Sequence, residues 1–240
     1  MAKSLPKSSK VVVIGGGVVG CSVAYHLAKF GWKDTILLER DQLTSGTTWH
    51  AAGMVTQLGT TPQITNIRKN SVKFYEDLKN ITGQDTSFRH TGTLNIATSK
   101  SRYQEYLRQL STSKLFDLDI ELINKKRFKD LYPIAKNKDV LGGLYIPKDG
   151  QADPEILTKV IAAAAKKEGV KIFEKCKLQK ILKRENQIRG VKTNLGTINC
   201  EYIVLCAGMW SRQIGEAAGV SIPVYPNEHF YMITENYKNL

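Results

Sequence analysis

Apolar residues fall along the chain in two distinct rhythms. Val11-Val12-Val13-Ile14 is a continuous β-branched run closed by glycine, the pattern of a strand buried on both faces. Gly15-Gly16-Gly17-Val18-Val19-Gly20 follows, and Cys21 to Phe30 then has helical spacing up to Gly31. Thr35-Ile36-Leu37-Leu38 is a second buried strand, ending in Glu39. These pieces make a βαβ unit of about 30 residues. Asp41 to Thr48 is polar and predicts a loop, and Ile64 to Ile81 has helical periodicity ending at Gly83.

The middle of the chain changes character. Thr91 to Ala97 alternates like an antiparallel strand, and Ser101 to Ser111 predicts an amphipathic helix. Ile120 to Ile123 and Gly142 to Ile146 predict strands, with a short helix from Asn124 to Leu131 stopped by Pro133. Asp153-Pro154 opens a helix over Glu155 to Glu168 that ends at Gly169. Strands are predicted at Val170 to Phe173, Leu178 to Lys183, Ile188 to Thr193 and Thr197 to Cys200. Tyr202 to Cys206 is a last buried strand closed by Ala207-Gly208. Arg212 to Ala218 reads as helix and Pro223 to Thr234 as extended chain. The order predicts one nucleotide-binding domain interrupted by a second, mixed α+β domain.

Composition narrows the class. The 240 residues are 42% hydrophobic and 24% charged, which is globular rather than disordered or fibrous. No apolar run approaches the ~18–20 residues of a membrane span. Met1 to Lys10 is basic without an apolar core, so neither a signal peptide nor a transit peptide is expected. The four cysteines form no CxxC pair, so free thiols, no metal site and a cytoplasmic setting are expected. The net charge is +13, but Lys outnumbers Arg 26 to 9 and is spread along the whole chain. That is a solvated surface, not the clustered Arg and exposed aromatics of a nucleic-acid site. It can also steer an anionic substrate.

Gly15-x-Gly17-x-x-Gly20 sits between a buried strand and a helix. The first glycine allows a tight turn, the second lets backbone approach a pyrophosphate, and the third lets helix and strand pack closely. Phosphates would lie at the positive end of the helix, beside Val18 and Val19. Glu39 follows Gly20 by 19 residues, the place for a carboxylate that accepts from a ribose diol. Arg40 comes next, but the acid occupies the strand end and disfavours NADP. FAD and NAD remain open on this fingerprint. The hydroxyl-rich loop Thr44-Ser45-Gly46-Thr47-Thr48 and the late Ala207-Gly208 turn favour FAD.

Leu43 to Gly53, with its core Thr48-Trp49-His50-Ala51-Ala52-Gly53, resembles the FAD-dependent N-methylglycine dehydrogenases, sarcosine and dimethylglycine dehydrogenase, in the D-amino-acid-oxidase-like superfamily. The resemblance continues through Gly92-Thr93-Leu94, Leu144 to Pro147, Asp149-Gly150, Asp153-Pro154, Ala207 to Trp210 and His229-Phe230-Tyr231. It implies an α/β, Rossmann-like FAD-binding domain interrupted by an α+β substrate domain. The FAD-binding domain would comprise residues 1–85 and 146–218, and the substrate domain residues 86–145 and 219–240. It implies FAD bound covalently through a ring nitrogen of His50 to the flavin 8α carbon. Gly15, Gly17, Val18, Val19, Gly20, Glu39, Arg40, Ser45, Gly46, Thr47, Thr48, Ala51, Ala52, Gly53, Leu178, Ala207, Gly208 and Trp210 complete the expected cofactor set. His229 and Tyr231 are the expected catalytic residues; His26 reads as structural, and His90 sits in a loop before the Thr91 strand where it could line a cleft, with no feature that supports the role.

The implied reaction is oxidative demethylation of a small N-methyl amino acid. A hydride passes from the methyl carbon to the flavin, and an electron-transfer flavoprotein or oxygen takes the electrons. A chain stopping at Leu240 lacks the rest of the substrate sheet and the carboxylate anchor, so it reads as the N-terminal portion of a larger enzyme. The resemblance places a tetrahydrofolate-binding half in the missing part, and a mitochondrial matrix location if the source is eukaryotic. The regulatory subunit of pyruvate dehydrogenase phosphatase, a non-catalytic relative, lacks a histidine at the place of His50. A non-catalytic flavin-binding protein and a different amino-acid or amine oxidase are the alternatives.

Overall fold

A computed structural model describes residues 4–233 and 235. The chain divides into two compact units. The first takes residues 1–53, 77–87 and 153–228; the second takes 54–76, 88–152 and 229–240.

The first unit is built on four parallel strands in the order β12-β1-β2-β8, where β1 is Val11–Ile14, β2 Thr35–Leu38, β8 Lys171–Phe173 and β12 Tyr202–Leu205. Val11 pairs with Thr35 on one side and with Tyr202 on the other. All eight residues of β1 and β2 are buried, which explains why these strands are uninterrupted apolar runs and not alternating ones. Their side chains still alternate between the faces. Val12, Ile14, Ile36 and Leu38 pack with Val191 and Ile198, from an antiparallel sheet of β9 (Leu178–Arg184), β10 (Gln187–Thr193) and β11 (Gly196–Asn199).

Helices α1 (Val18–Lys29) and α5 (Pro154–Lys167) pack on each other. Small buried residues, Ala24 and Ala28 on α1 and Ala164 and Ala165 on α5, permit the close approach. Asp153 Oδ1 caps α5, accepting from the backbone N–H of Glu155 at 2.8 Å and of Ile156 at 2.9 Å, with Pro154 in the first turn.

The second unit holds an antiparallel sheet in the order β4-β6-β5, with β4 Thr93–Ala97, β5 Glu121–Ile123 and β6 Gly142–Ile146. A two-stranded pair joins β3 (Met54–Val55) to β7 (Gly150–Gln151). Helix α3 is Lys100–Ser113 and α4 is Lys125–Leu131. Helix α2 (Pro62–Thr82) contributes residues to both units.

The units differ from the boundaries expected at 85, 145 and 218. Residues 54–76 and 146–152 group with the second unit because β3 pairs with β7 and Asp149 ties the two segments together. Residues 219–228 group with the first, where the Val220 N–H donates to the Gly215 carbonyl at 2.8 Å and the Arg212 guanidinium lies 4.3 Å from the Tyr225 ring centre. Residues 221–233 form neither helix nor paired strand. Thr234, the end of the predicted extended segment, lies outside the described residues.

Asp149 is fully buried. Its carboxylate accepts from the Gln57 backbone N–H at 2.8 Å and from the Thr93 hydroxyl at 2.6 Å. Burial pushes its carboxyl above the usual range, and the Thr93 and Gln57 bonds only partly offset that. A raised folded pKa means the native state holds this proton more tightly than the unfolded chain. Stability conferred by the group therefore falls as pH rises from ~3.9, the unperturbed Asp value, through the folded value. Asp149→Asn keeps an acceptor for Gln57 and removes the charge. Its stability relative to wild type is expected to improve with pH across that window. Asp149→Leu leaves the Gln57 and Thr93 donors unpaired and costs about 2–4 kcal/mol. Urea midpoints measured from acid to neutral pH check both, and a pH-independent difference for the Asn variant rejects the assignment.

Candidate functional site

Three parallel strands finish at one cavity. Ile14, Leu38 and Leu205, the last residues of β1, β2 and β12, all line it. The cavity holds about 480 Å³ at the carboxyl edge of the sheet, where open α/β sheets bind ligands. Its floor is the glycine turn between β1 and α1. Gly15 has φ +110°, and a Cβ there would lie 2.4 Å from the Cys206 carbonyl oxygen. A Cβ on Gly20 would lie 1.8 Å from the Gly15 carbonyl oxygen. The first turn of α1 therefore sits directly on the loop that starts it.

The N-terminus of α1 opens toward this space. Gly17 is its N-cap and supplies no side-chain cap, and the first turn carries no acidic residue. Such an end holds partial positive charge and favours a phosphate. Glu39 is buried beside the turn. Its Oε2 accepts from the Gly16 N–H at 2.7 Å and its Oε1 from the Asp41 N–H at 2.9 Å. Two acceptor positions of the carboxylate remain for a diol. At the rim, the Arg40 guanidinium lies 4.0 Å from the centre of the Trp210 ring, a flat cationic–aromatic surface. The open helix end, the buried acid and the cavity above the glycine turn fit a dinucleotide. The Cys21 thiol lies behind the turn, donating toward the Gly16 carbonyl at 3.7 Å. Burial and the neighbouring Glu39 push it up to about 12, so it stays a neutral thiol.

The loop after β2 is sewn to the same turn. The Thr44 N–H donates to the Gly16 carbonyl at 3.0 Å. The buried Thr48 Oγ1 accepts from the Val18 N–H at 3.1 Å. The Ala51 N–H then returns to the Thr48 carbonyl at 3.1 Å, which leaves Trp49 and His50 as the two central residues of a turn. Their rings are in contact, with centroids 3.6 Å apart and planes 34° from parallel. His50 is thus held one turn away from the N-terminus of α1.

Of the expected cofactor residues, Gly15, Gly17, Val18, Val19, Glu39, Arg40, Gly46, Thr47, Thr48, Leu178, Ala207, Gly208 and Trp210 line the cavity. Gly20 lies beneath it. Ser45 does not line it: its hydroxyl donates to the Gln42 carbonyl at 2.8 Å, and it lines a separate polar dish with Trp49, Glu155 and Lys159. His50, Ala51, Ala52 and Gly53 stand outside the lining. His229 and Tyr231 are exposed residues of the second unit. Sequence reasoning missed Gly16, Cys176, Lys177, Cys206, Gln213 and Ile214. Gly16 was legible as the middle residue of the glycine motif, and Cys206 as the end of the last buried strand.

A parallel sheet carrying this glycine turn, acid and open helix end defines a dinucleotide-binding oxidoreductase fold. The chain belongs to the DAO family of FAD dependent oxidoreductases, which matches residues 10–240. It is 36% identical over 228 residues to 4-methylaminobutanoate oxidase (formaldehyde-forming) of Paenarthrobacter nicotinovorans, covering 95% of this chain and 28% of that protein. It is 35% identical to mitochondrial sarcosine dehydrogenase of Homo sapiens, over 100% of this chain and 27% of that one. For mitochondrial dimethylglycine dehydrogenase of Homo sapiens the identity is 37%, over 94% and 26%. The chain thus spans about a quarter of the length of these curated relatives. The mitochondrial pyruvate dehydrogenase phosphatase regulatory subunit of Mus musculus is 34% identical over 96% of the chain, so overall identity does not separate enzyme from regulator. Among solved structures, L-proline dehydrogenase from P. horikoshii aligns with a TM-score of 0.84 and 30% identity, over 90% of this chain and 57% of that one. No helix among the described residues is long and apolar enough to cross a membrane.

Proposed function

We propose that this chain is the FAD-binding part of an enzyme that oxidises the N-methyl group of a small amino acid, with sarcosine and dimethylglycine as the substrate class. The observation that carries the reading is His50. It stands on a turn anchored through Thr48 to the first residue of α1, beside the cavity that suits the phosphates. A non-catalytic flavin protein has no need of an imidazole held there. In this reading FAD is bound covalently through His50, with Glu39 on the ribose, the Gly15–Gly20 turn on the pyrophosphate and the Arg40–Trp210 surface at the rim. When bound, FAD accepts a hydride from the substrate carbon. The protein's own residues orient the cofactor and exclude water. His229 serves as a base that keeps the substrate amine neutral, and Tyr231 binds substrate beside it. An electron-transfer flavoprotein or oxygen takes the electrons. Tetrahydrofolate takes the one-carbon unit in a further part of the protein. The setting is the cytoplasm, or the mitochondrial matrix in a eukaryote.

The test is anaerobic mixing of the full-length protein with sarcosine, dimethylglycine, 4-methylaminobutanoate and glycine, followed at the flavin band near ~450 nm. Bleaching by one or more of the N-methyl compounds, faster than by glycine, is the expected result. No bleaching by any of the four defeats the enzyme reading and leaves a regulator. In the same assay His229→Ala is expected to slow bleaching and alter its pH profile; an unchanged rate and profile removes His229 from the site.

A further inference from the structure

The polar dish beside Ser45 is a second cavity, of about 590 Å³, built wholly within the first unit. Three segments wall it: the loop after β2, the first turns of α5 and the residues that follow β8. The loop is a partition between two spaces. Residues 46–48 line the dinucleotide cavity, and residues 42–45 line the dish.

The charges of the dish are balanced. Glu155 and Lys159, one turn apart on α5, pair at 2.8 Å. Glu174 Oε1 accepts from the Leu43 N–H at 2.8 Å, which leaves acceptor capacity on the second oxygen. Lys175 is the next residue, and among the described residues its ammonium has no partner. The Trp49 indole, 49% exposed, supplies an apolar wall. One open acid, one open ammonium and no net charge suit neither an anion nor a cation alone. They suit a small molecule that carries both charges.

The backbone at Lys175 points the same way. Its φ is +56°, in the left-handed region that favours glycine. It is held there from both sides: its N–H donates to the Asp41 carbonyl at 2.8 Å, and its carbonyl accepts from the Asn194 side chain at 3.0 Å. Thr44, which also lines the dish, has φ 75°. Glycine would adopt the Lys175 conformation without strain, so what a lysine adds there is its ammonium. Residues held in such sparsely populated conformations cluster at ligand sites.

We propose that the dish is a second small-molecule site, for a zwitterion that joins a carboxylate to a methylated ammonium. The ligand carboxylate is received by Lys175, and its ammonium by Glu174 and the indole. Methyl groups remove N–H donors and spread the positive charge over an apolar surface, so an aromatic wall beside a carboxylate suits a methylated ammonium better than a bare one. The charged groups are exposed, so binding is weak, with a Kd of about 1–10 mM. The site rests on the lining of the dish and is independent of the reaction proposed for the flavin cavity.

The probe is N,N,N-trimethylglycine, titrated into the full-length flavin-loaded protein. Its quaternary nitrogen has no lone pair, so it cannot enter a reaction that needs a neutral amine. Binding is read from the broadening of its methyl resonance in proton NMR. Lys175→Gly removes the ammonium and relaxes the backbone. Glu174→Gln removes the charge, while its amide oxygen can still accept from Leu43. The expected result is saturable binding by wild type, weakened at least about tenfold in each variant, with Lys175→Gly melting no lower than wild type. Acetate and tetramethylammonium, each with half of the charge pattern, are expected to bind at least about tenfold more weakly than the zwitterion. No saturable binding up to about 50 mM probe overturns the proposal. Binding unchanged in either variant also overturns it, because the probe then sits elsewhere. Tetramethylammonium that binds as well as the zwitterion makes the dish a cation site and overturns the ligand class.

Discussion

Gly20→Ala is expected to cost the protein its flavin. The added methyl would lie 1.8 Å from the Gly15 carbonyl oxygen and 3.3 Å from the Cys206 Cβ. The first contact is with backbone, so no rotamer change relieves it. Either α1 lifts from the turn or the turn opens, and both misplace the N–H groups that face the cavity. Overpacking of this kind exceeds the ~1–3 kcal/mol typical of a buried extra methylene, because the obstruction cannot repack. Flavin retention is expected to fall by at least about a hundredfold, that is ~2.7 kcal/mol of binding. Gly31→Ala is the control. Gly31 has positive φ, +96°, and nothing lies within 4 Å of its Cβ position. It should lose only about 1 kcal/mol of stability from backbone strain and keep full flavin. Flavin content and urea midpoint of the two full-length variants check this. Normal flavin content in Gly20→Ala would remove the helix–turn contact from the binding argument.

The contrast between those two glycines also shows what a sequence can reveal. Gly20 was legible because its spacing from Gly15 and Gly17 is tied to a strand before and a helix after. The parallel strands were legible because burial on both faces leaves β1, β2 and β12 as unbroken apolar runs. Other parts of the site have no local signature. Arg40 and Trp210 stack across 170 positions of chain, and nothing near either residue announces the other. Cys176 and Lys177 reach the cavity because the Cys176 N–H donates to the Glu39 carbonyl at 2.8 Å, a crossing of strands and not a motif. The pair β3–β7 has two residues a side, too short for any periodicity. Its anchor, Asp149, accepts from Gln57 and Thr93, 92 and 56 positions away, and nothing beside it in the chain announces either donor. Segment 54–76 therefore groups with the second unit, and not with the first 85 residues as its helix pattern alone implies, because its partner strand has no local sign.

On the proposed His50 tether, His50→Ala is expected to move the yellow colour of acid-precipitated protein entirely from pellet to supernatant. The prediction follows from three separate placements. Thr48 fixes the turn to Val18, so the loop itself does not depend on the imidazole. His50 lies outside the cavity lining, so its loss removes no wall of the dinucleotide site. The ring is exposed and, among the described residues, makes no hydrogen bond, so its removal should change stability by no more than about 0.5 kcal/mol. The variant is thus expected to fold, to bind FAD and to lose only the covalent bond. Thr48→Val separates the two functions from the other direction. It deprives the Val18 N–H of its acceptor at the helix end, at a cost of about 1–2 kcal/mol, and loosens the turn on which His50 stands. That variant should lose free and covalent flavin together. If colour stays in the pellet of His50→Ala, the attachment is made by another residue, and the turn from Thr48 to Ala51 serves only to close the cavity.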